Sequence, residues 1–131
     1  GEAGIAVGYH NHDFEFTVPD VDGVPAYDYF VSLLQESVRL EVDTYWAAVG
    51  RRDVPELLAT YDERITHLHL KDGPLSADHS VANVVLGSGA MDLPPILEAS
   101  PDRVWVVEFD IAAIDPVDEV GRSIGYLRAA R

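Results

Sequence analysis

The sequence predicts an α/β fold of four parallel βα units, which amounts to half of a (βα)8 TIM barrel. Four apolar runs alternate with stretches that carry helix-capping residues, and this alternation is typical of a parallel sheet. The chain has 131 residues, whereas a complete barrel needs about 250. We therefore expect residues 1–131 to form a single domain. Either the other half of the barrel is missing or two copies of the chain pair.

The predicted strands are short runs dominated by aliphatic residues. They cover residues 4–10, 38–43, 65–71 and 103–109. Strands of a parallel sheet are normally apolar on both faces, because helices cover both sides. Four bare strands would leave two open sheet edges, which is why a second half is expected.

Four helices are predicted between and after these strands. The first covers residues 27–35, the second follows a cap at Asp53, the third covers residues 93–99 after a cap at Asp92, and the fourth begins at Asp115. Aspartate at the cap position and proline in the first turn are typical helix starts. Helical spacing predicts these buried side chains: Tyr27, Phe30, Leu33, Leu34, Val54, Leu57, Leu58, Tyr61, Val117, Val120, Ile124 and Leu127.

Composition excludes several classes of function. Nine Lys and Arg stand against 23 Asp and Glu, so the formal net charge is -14. Such a surface repels phosphate backbones and anionic lipids, so neither nucleic acid nor a membrane is an expected partner. The chain has no cysteine, which excludes thiolate metal sites and thiol nucleophiles. Without a recognisable signal peptide or membrane span, a cytoplasmic location is the expectation.

Polar residues gather where the predicted strands end. His10 and His12 share one face of the first strand, and Glu41 and Asp43 share a face of the second. His67, His69 and Lys71 alternate on the third strand, and Glu108 follows on the fourth. The carboxyl ends of barrel strands converge on one cup. Imidazole and carboxylate ligands suit Mn²⁺ first, and also Mg²⁺, Co²⁺ or Zn²⁺.

Each of these residues also has a structural interpretation. A lone histidine at position 10, 12 or 67 is more often a hydrogen-bonded structural residue than a ligand. Glu41 suits the interior layer of a barrel, and Trp46 is more often packing than a substrate platform. Lys71 and Asp72 suit a solvated turn, and residues 87–89 with Asp92 suit a turn and helix cap rather than a phosphate cradle.

Five motifs resemble the sugar phosphate isomerase/epimerase family, whose fold is the xylose-isomerase-like TIM barrel. Residues 9–16 (YHNHDFEF) resemble its first motif, and residues 67–73 (HLHLKDG) resemble its H-x-K-D strand. Similar matches in the same order lie at residues 40–46, 86–92 and 106–110. The resemblance implies that this chain is the C-terminal half of such a barrel, with a missing N-terminal half or a second copy as its partner.

The resemblance also implies ligands and chemistry. Asp43, His69 and Glu108 match three of the family's metal ligands, and His10 stands where a glutamate is usual, with Glu15 as a rival. The implied activity is a divalent-metal-dependent isomerisation or epimerisation of a sugar or sugar derivative through an enediolate. A keto-sugar or inositol dehydratase or lyase, and an inactive self-associating half-barrel, are the alternatives.

Further roles are expected for residues around the implied metal. Glu108 is the expected base, and His12 is the expected second acid or base, because imidazole titrates near neutral pH. Lys71 is expected to donate to a substrate oxygen. Trp46, together with His12 and Lys71, is expected to contact the substrate, a small sugar-derived molecule.

Overall fold

The computed structural model describes residues 4–130 as a parallel sheet of four strands connected by helices. The strands lie side by side in chain order, β1-β2-β3-β4, and every neighbouring pair is parallel. The elements are β1 Gly8–His10, α1 Phe14–Thr17, α2 Ala26–Leu33, β2 Arg39–Asp43, α3 Thr44–Val49, α4 Val54–Thr60, a 3-10 turn Asp62–Arg64, β3 Ile65–Leu70, α5 Leu93–Glu98, β4 Val104–Val107 and α6 Pro116–Ala129. The predicted architecture of four parallel βα units is confirmed.

The hydrophobic core lies between the central strands and the helices that cover them. Leu40, Val42, Leu68 and Leu70 are completely buried on β2 and β3. Helices α4 and α5 add Leu57 and further apolar side chains to the same cluster. The burial of these aliphatic groups, worth about 25 cal/mol per Å² of apolar surface, holds the sheet in register. The strand ends that carry the polar residues are therefore placed by a rigid scaffold.

The first strand is shorter than predicted. It begins at Gly8, which pairs with Arg39, the first residue of β2. Residues 5–7 precede the start of β2 and are exposed, with Ile5 at 69%. Apolar character alone predicts a strand from residue 4, but a strand also needs a neighbour that extends as far. Residues 1–3, which precede the predicted strand, lie outside the residues that the structure describes.

One of the two predicted aspartate caps is confirmed, and Asp115 at the start of α6 is also a cap. Asp53 Oδ1 accepts from the backbone N–H of Glu56 at 2.9 Å, and Asp115 Oδ1 accepts from Val117 at 2.9 Å. Asp92 precedes α5 but makes no capping hydrogen bond with its side chain in the described part of the chain. Prolines in the first turn of α5 already lack two of the donors that a cap would satisfy.

The predicted buried faces of two helices are partly wrong. Leu33 in α2 is 67% exposed, because Tyr27 and Val31 form the buried face of that helix. In α6, Val117 and Ile124 are exposed, whereas Glu119 and Ser123 are buried. Glu119 accepts from Ala113 N, and Ser123 accepts from Leu86 N. These polar contacts orient α6. A prediction of the buried face from the spacing of apolar residues alone does not include them.

Both outer strands present apolar residues at the edges of the sheet. Among the described strands, β1 pairs only with β2, and β4 pairs only with β3. Val7 beside β1 is 59% exposed and Val104 in β4 is 53% exposed. Open edges of this kind are where another strand adds. The longest described helix, α6, has 14 residues, and none of the helices in residues 4–130 is long and apolar enough to cross a membrane.

Candidate metal centre

The carboxyl ends of the four strands bring together the four residues predicted as metal ligands. His10 ends β1, Asp43 ends β2, His69 lies one residue before the end of β3, and Glu108 follows β4 directly. One ligand atom from each of these residues lies within 4.8 Å of the others. Parallel pairing places Asp43 opposite His69, so the two side chains emerge at one level of the sheet. A group of this size and composition could hold one small cation.

The imidazole of His69 lies between two carboxylates. Its Nδ1 contacts Glu108 Oε2 in a very short hydrogen bond, and its Nε2 lies 2.9 Å from Glu41 Oε1. His10 approaches the same group through Nε2, which lies 3.5 Å from Asp43 Oδ2. The rings of His10 and His69 meet edge to face, with centroids 4.4 Å apart. Each imidazole thus lies beside carboxylate oxygens.

Asp43 is locked in place by its neighbours. The side chain of Asn11 bridges β1 and β2, since its Oδ1 accepts from Asp43 N and its Nδ2 donates to Asp43 O. Asp43 Oδ1 accepts from Trp46 N at 2.9 Å and thereby caps α3. The other oxygen, Oδ2, is buried and makes no hydrogen bond of normal geometry within residues 4–130. It lies 2.9 Å from the ammonium of Lys71.

The charges of the cluster shift several pKa values. The hydrogen bond from His69 lowers the pKa of Glu108 to about 2; burial opposes this shift, and Lys71 adds to it. Burial alone would lower the pKa of His69, but the hydrogen bonds and charges of Glu108 and Glu41 raise it. Burial alone would also lower the pKa of Lys71, but the charges and hydrogen bonds of Asp43, Asp110 and Glu108 raise it. Glu108 therefore stays ionised at neutral pH.

Glu15, the rival for the first ligand, does not belong to the cluster. Its Oε1 accepts from the Tyr9 hydroxyl at 2.6 Å, and its Oε2 accepts from the backbone N–H of His12 at 3.0 Å. Both carboxylate oxygens are thus used to shape the turn after β1. Burial and Glu15 raise the pKa of Tyr9, which keeps the hydroxyl a donor. The geometry favours His10 over Glu15 at the first position.

Glu41 is a polar neighbour of the cluster that the sequence analysis assigned to the barrel interior. Its carboxylate contacts His69 and lies 3.8 Å from His10 Nδ1. The side chain is 34% exposed, so it is open to the cup. The sequence feature that indicates a place for Glu41 near the cluster is its position two residues before Asp43, on the same face of the strand.

The residues predicted to contact the substrate occupy different surroundings. His12 is half-buried, and its ring centroid lies 5.2 Å from that of His10. Trp46 is only 4% exposed, because the ring of His79 stacks on it at 4.2 Å. His79 comes from the long segment after β3 and also contacts Asp13 at 3.1 Å. A substrate contact of Trp46 stays a prediction and requires His79 to move.

Lys71 and Asp72 do not form a solvated turn, as one interpretation held, since both side chains are buried. Asp72 accepts four backbone hydrogen bonds of 2.8–3.0 Å. The donors are Gly73, Gly87, Gly89 and Met91. A Cβ atom at Gly89 would overlap the Asp72 carboxylate, so only glycine fits there. The Gly87–Gly89 turn is therefore built around this carboxylate, which organises the segment after β3.

Solved structures share the fold of this chain over about half of their own length. Two structures of a sugar phosphate isomerase/epimerase from Parabacteroides distasonis match 98% and 97% of this chain, with TM-scores of 0.74 and 0.72. Both are 28% identical to it in sequence. This chain has the fold of half of a sugar phosphate isomerase/epimerase barrel. The half-barrel spans 46% and 47% of those two chains.

A third structure supports the fold of the half-barrel. D-allulose 3-epimerase from Methylomonas sp. matches 99% of this chain and 50% of its own, with a TM-score of 0.62 and 13% identity. Neither a protein-family model nor a curated protein sequence matches the half-barrel. That the chain is the C-terminal half rather than the N-terminal half stays a prediction from the order of its motifs.

Proposed function

We propose that this chain supplies the metal-binding half of a divalent-metal-dependent isomerase or epimerase that acts on a sugar or sugar derivative. The observation that carries the proposal is the meeting of His10, Asp43, His69 and Glu108 at the ends of four successive strands. Structures of similar fold are described as a sugar phosphate isomerase/epimerase and a D-allulose 3-epimerase. A cytoplasmic site of action stays a prediction.

The donor set fits a divalent cation. Two imidazoles and two carboxylates suit Mn²⁺ first, and Mg²⁺, Co²⁺ or Zn²⁺ next. Asp43 Oδ2 is buried, lies 3.5 Å from His10 Nε2, and already faces one positive charge, the Lys71 ammonium at 2.9 Å. When bound, the ion supplies Lewis-acid polarisation of a substrate carbonyl.

The remaining chemistry belongs to side chains at the rim of the cluster. Glu108 and Glu41 expose about a third of their side chains, at 36% and 34%, so both reach the cup. Either carboxylate can take a proton from a carbon next to a carbonyl. His12, beside His10, can exchange a proton with the other side of that carbon. The ammonium of Lys71 contacts three carboxylates. It can donate a hydrogen bond to a substrate oxygen only if one of these contacts breaks.

The presence of Glu41 favours isomerisation or epimerisation over dehydration. Epimerisation removes a proton on one face and returns it on the other, which requires two acid–base groups. With His10 at the first ligand position, the sequence leaves Glu108 and His12 as the only evident pair. Glu41 adds a second carboxylate at the same cup. A keto-sugar or inositol dehydratase is the alternative that the next experiment separates.

Proton exchange with solvent distinguishes an isomerase or epimerase from a dehydratase and from an inactive half-barrel. The chain, loaded with Mn²⁺, is incubated in D₂O with ketoses, aldoses and inosone derivatives, and the products are followed by NMR. We expect deuterium at the carbon next to the carbonyl, lost on addition of EDTA and reduced in Glu108→Gln. Loss of water from the substrate would instead identify a dehydratase. Neither change in any substrate, from a chain that binds Mn²⁺ and has self-associated, would contradict the proposal and favour an inactive half-barrel.

The half-barrel is expected to act with a second half, either the missing N-terminal half or another copy. It spans about half of the similar structures, and both of its edge strands carry exposed valines. Burying these edges removes apolar surface from water and pairs the free backbone groups. A small sugar-derived molecule would then lie in the cup between the two halves.

The isolated chain should self-associate through these edges. Light scattering is expected to give a mass at least twice the monomer's 14.4 kDa. Val104→Lys places a charge on the edge strand β4 and should shift the mass towards that of the monomer. Leu33→Lys, at an exposed leucine of α2 that lies on neither edge strand, is the matched control and should leave the mass unchanged. A monomeric parent with a cooperative melt would contradict this expectation.

A further inference from the structure

Lys71 occupies an unusual position for a lysine, at the floor of the candidate metal centre. The residue is 1% exposed, and its ammonium contacts three carboxylates. Nζ lies 2.9 Å from Asp43 Oδ2 and 2.9 Å from Glu108 Oε2. It also lies 2.9 Å from both oxygens of Asp110. One cation therefore compensates several carboxylates that would otherwise repel one another.

The three carboxylate partners of Lys71 fall into two groups. Asp43 and Glu108 belong to the candidate ligand set, and the oxygen that each presents to Lys71 also faces a histidine of that set, His10 or His69. Asp110 does not belong to that set. Its backbone N–H donates to Asn83 Oδ1 at 2.9 Å, and Asn83 N donates to the carbonyl of Ile111. Asp110 is thereby anchored beside the cluster by the segment after β3.

A divalent cation and the ammonium compete for the same oxygens. Two positive groups that share one carboxylate oxygen repel each other, and the repulsion is strong where water is excluded. An ion bound by Asp43 and Glu108 therefore weakens the contacts of Lys71 with both. Asp110 offers the ammonium two oxygens outside the ligand set, so Lys71 can remain paired while the ion binds.

We propose that Lys71 is the resident counter-cation of the ligand set, and that Asp110 is the positioning residue that retains the Lys71 ammonium when a divalent ion takes its place at Asp43 and Glu108. The inference rests on the proposed metal-dependent function. It assigns Asp110, a residue outside the predicted site, to the control of metal affinity. The positive charge of Lys71 also reduces the repulsion among these carboxylates when no ion is bound.

Calorimetric titration with Mn²⁺ tests the exchange through a double-mutant cycle. Lys71→Met removes the competitor and should tighten Mn²⁺ binding by about tenfold or more. Asp110→Asn removes the alternative partner of the ammonium and should weaken binding by about tenfold. In the Lys71→Met background, Asp110→Asn should change the affinity by less than about threefold, because no ammonium is left to retain. A merely structural role of Asp110 would give the same loss in both backgrounds and would overturn the inference.

A second variant and a metal-free measurement guard against misfolding. Lys71→Gln keeps a neutral donor of similar length and should also tighten Mn²⁺ binding. In EDTA, both Lys71 variants should melt below the parent, and Mn²⁺ should raise their melting temperatures more than that of the parent. Arg52→Gln removes a cation that pairs with Asp28 and should change neither affinity nor the response to Mn²⁺.

The outcomes separate this inference from the proposed function. Binding of Mn²⁺ by the parent, with no tightening in Lys71→Met or Lys71→Gln, would overturn the counter-cation role alone. Binding by a Lys71 variant but not by the parent would support it. No Mn²⁺ binding in any variant would overturn the proposed function and, with it, the exchange.

Discussion

Asp43→Asn should weaken Mn²⁺ binding by more than about 100-fold, since even residues that only orient a ligand are worth 10–100-fold in affinity. Asp43 Oδ1 accepts from Trp46 N, so the oxygen of an asparagine is retained on that side. Its amide nitrogen then occupies the place of Oδ2, where it has no lone pair to offer a cation. Calorimetric titration with Mn²⁺ measures the loss directly.

Histidine variants on β3 provide the matched pair for this prediction. His69→Ala removes a ligand and should also abolish Mn²⁺ binding. His67→Ala lies two residues earlier on the same face of β3, and its Nδ1 contacts Thr66 rather than the cluster. It should bind Mn²⁺ as the parent does. Equal affinities in His69→Ala and His67→Ala would show that the metal lies elsewhere.

Asparagine is preferable to alanine at position 43. A polar residue at the end of a strand suggests that alanine is harmless there. The structure shows a completely buried carboxylate that caps α3. Removing a cap costs about 1 kcal/mol, and an alanine also leaves Lys71 with one partner fewer. Loss of binding in Asp43→Ala would therefore mix a ligand effect with a folding effect.

Asp72→Ala should lower the free energy of unfolding by about 3–5 kcal/mol. The Asp72 side chain is completely buried and accepts four backbone hydrogen bonds in the turn after β3. Alanine leaves those N–H donors without their partner. One hydrogen bond to a charged group is worth about 1.5–3 kcal/mol, and the total is less than four times this because water can reach the part-buried donors of Gly87, Gly89 and Met91. The same change should lower the melting temperature by roughly 10 °C or more. Urea denaturation followed by circular dichroism measures the difference.

Asp92→Ala is the control for Asp72→Ala. Asp92 belongs to the same motif, but it is exposed and does not cap α5 with its side chain. Exposed substitutions of this kind usually stay within about 0.5 kcal/mol of the parent. Similar losses for Asp72→Ala and Asp92→Ala would mean that the four hydrogen bonds contribute little.

The sheet could be predicted from the sequence because each strand lies in a short, mainly apolar run that is followed by a stretch with helix-capping residues. Val42 and Leu68 belong to such runs and lie at its centre, completely buried. The limits of β1 could not be predicted, since the start of a strand depends on how far its neighbour extends. The orientation of α6 also escaped prediction, because buried Glu119 and Ser123 face the protein through hydrogen bonds rather than through apolar contact.

The grouping of the candidate ligands could be predicted, because alternation places polar residues at the strand ends and the family resemblance marks Asp43, His69 and Glu108. His10, Asp43, His69 and Glu108 meet as the pattern indicates. The choice of His10 over Glu15 required the structure, since only the hydrogen bond from Tyr9 shows that Glu15 is occupied. The contacts among Lys71, Asp110 and the ligands are likewise properties of three-dimensional packing.

An anomalous difference map from crystals grown with Mn²⁺ locates the ion directly. We expect one strong peak at the carboxyl ends of the four strands. The peak should lie roughly 2.0–2.2 Å from a ring nitrogen of His10, a ring nitrogen of His69 and carboxylate oxygens of Asp43 and Glu108. A Mn²⁺ peak bound to Glu15 instead of His10, a peak away from these four residues, or no peak at saturating Mn²⁺ would contradict this expectation.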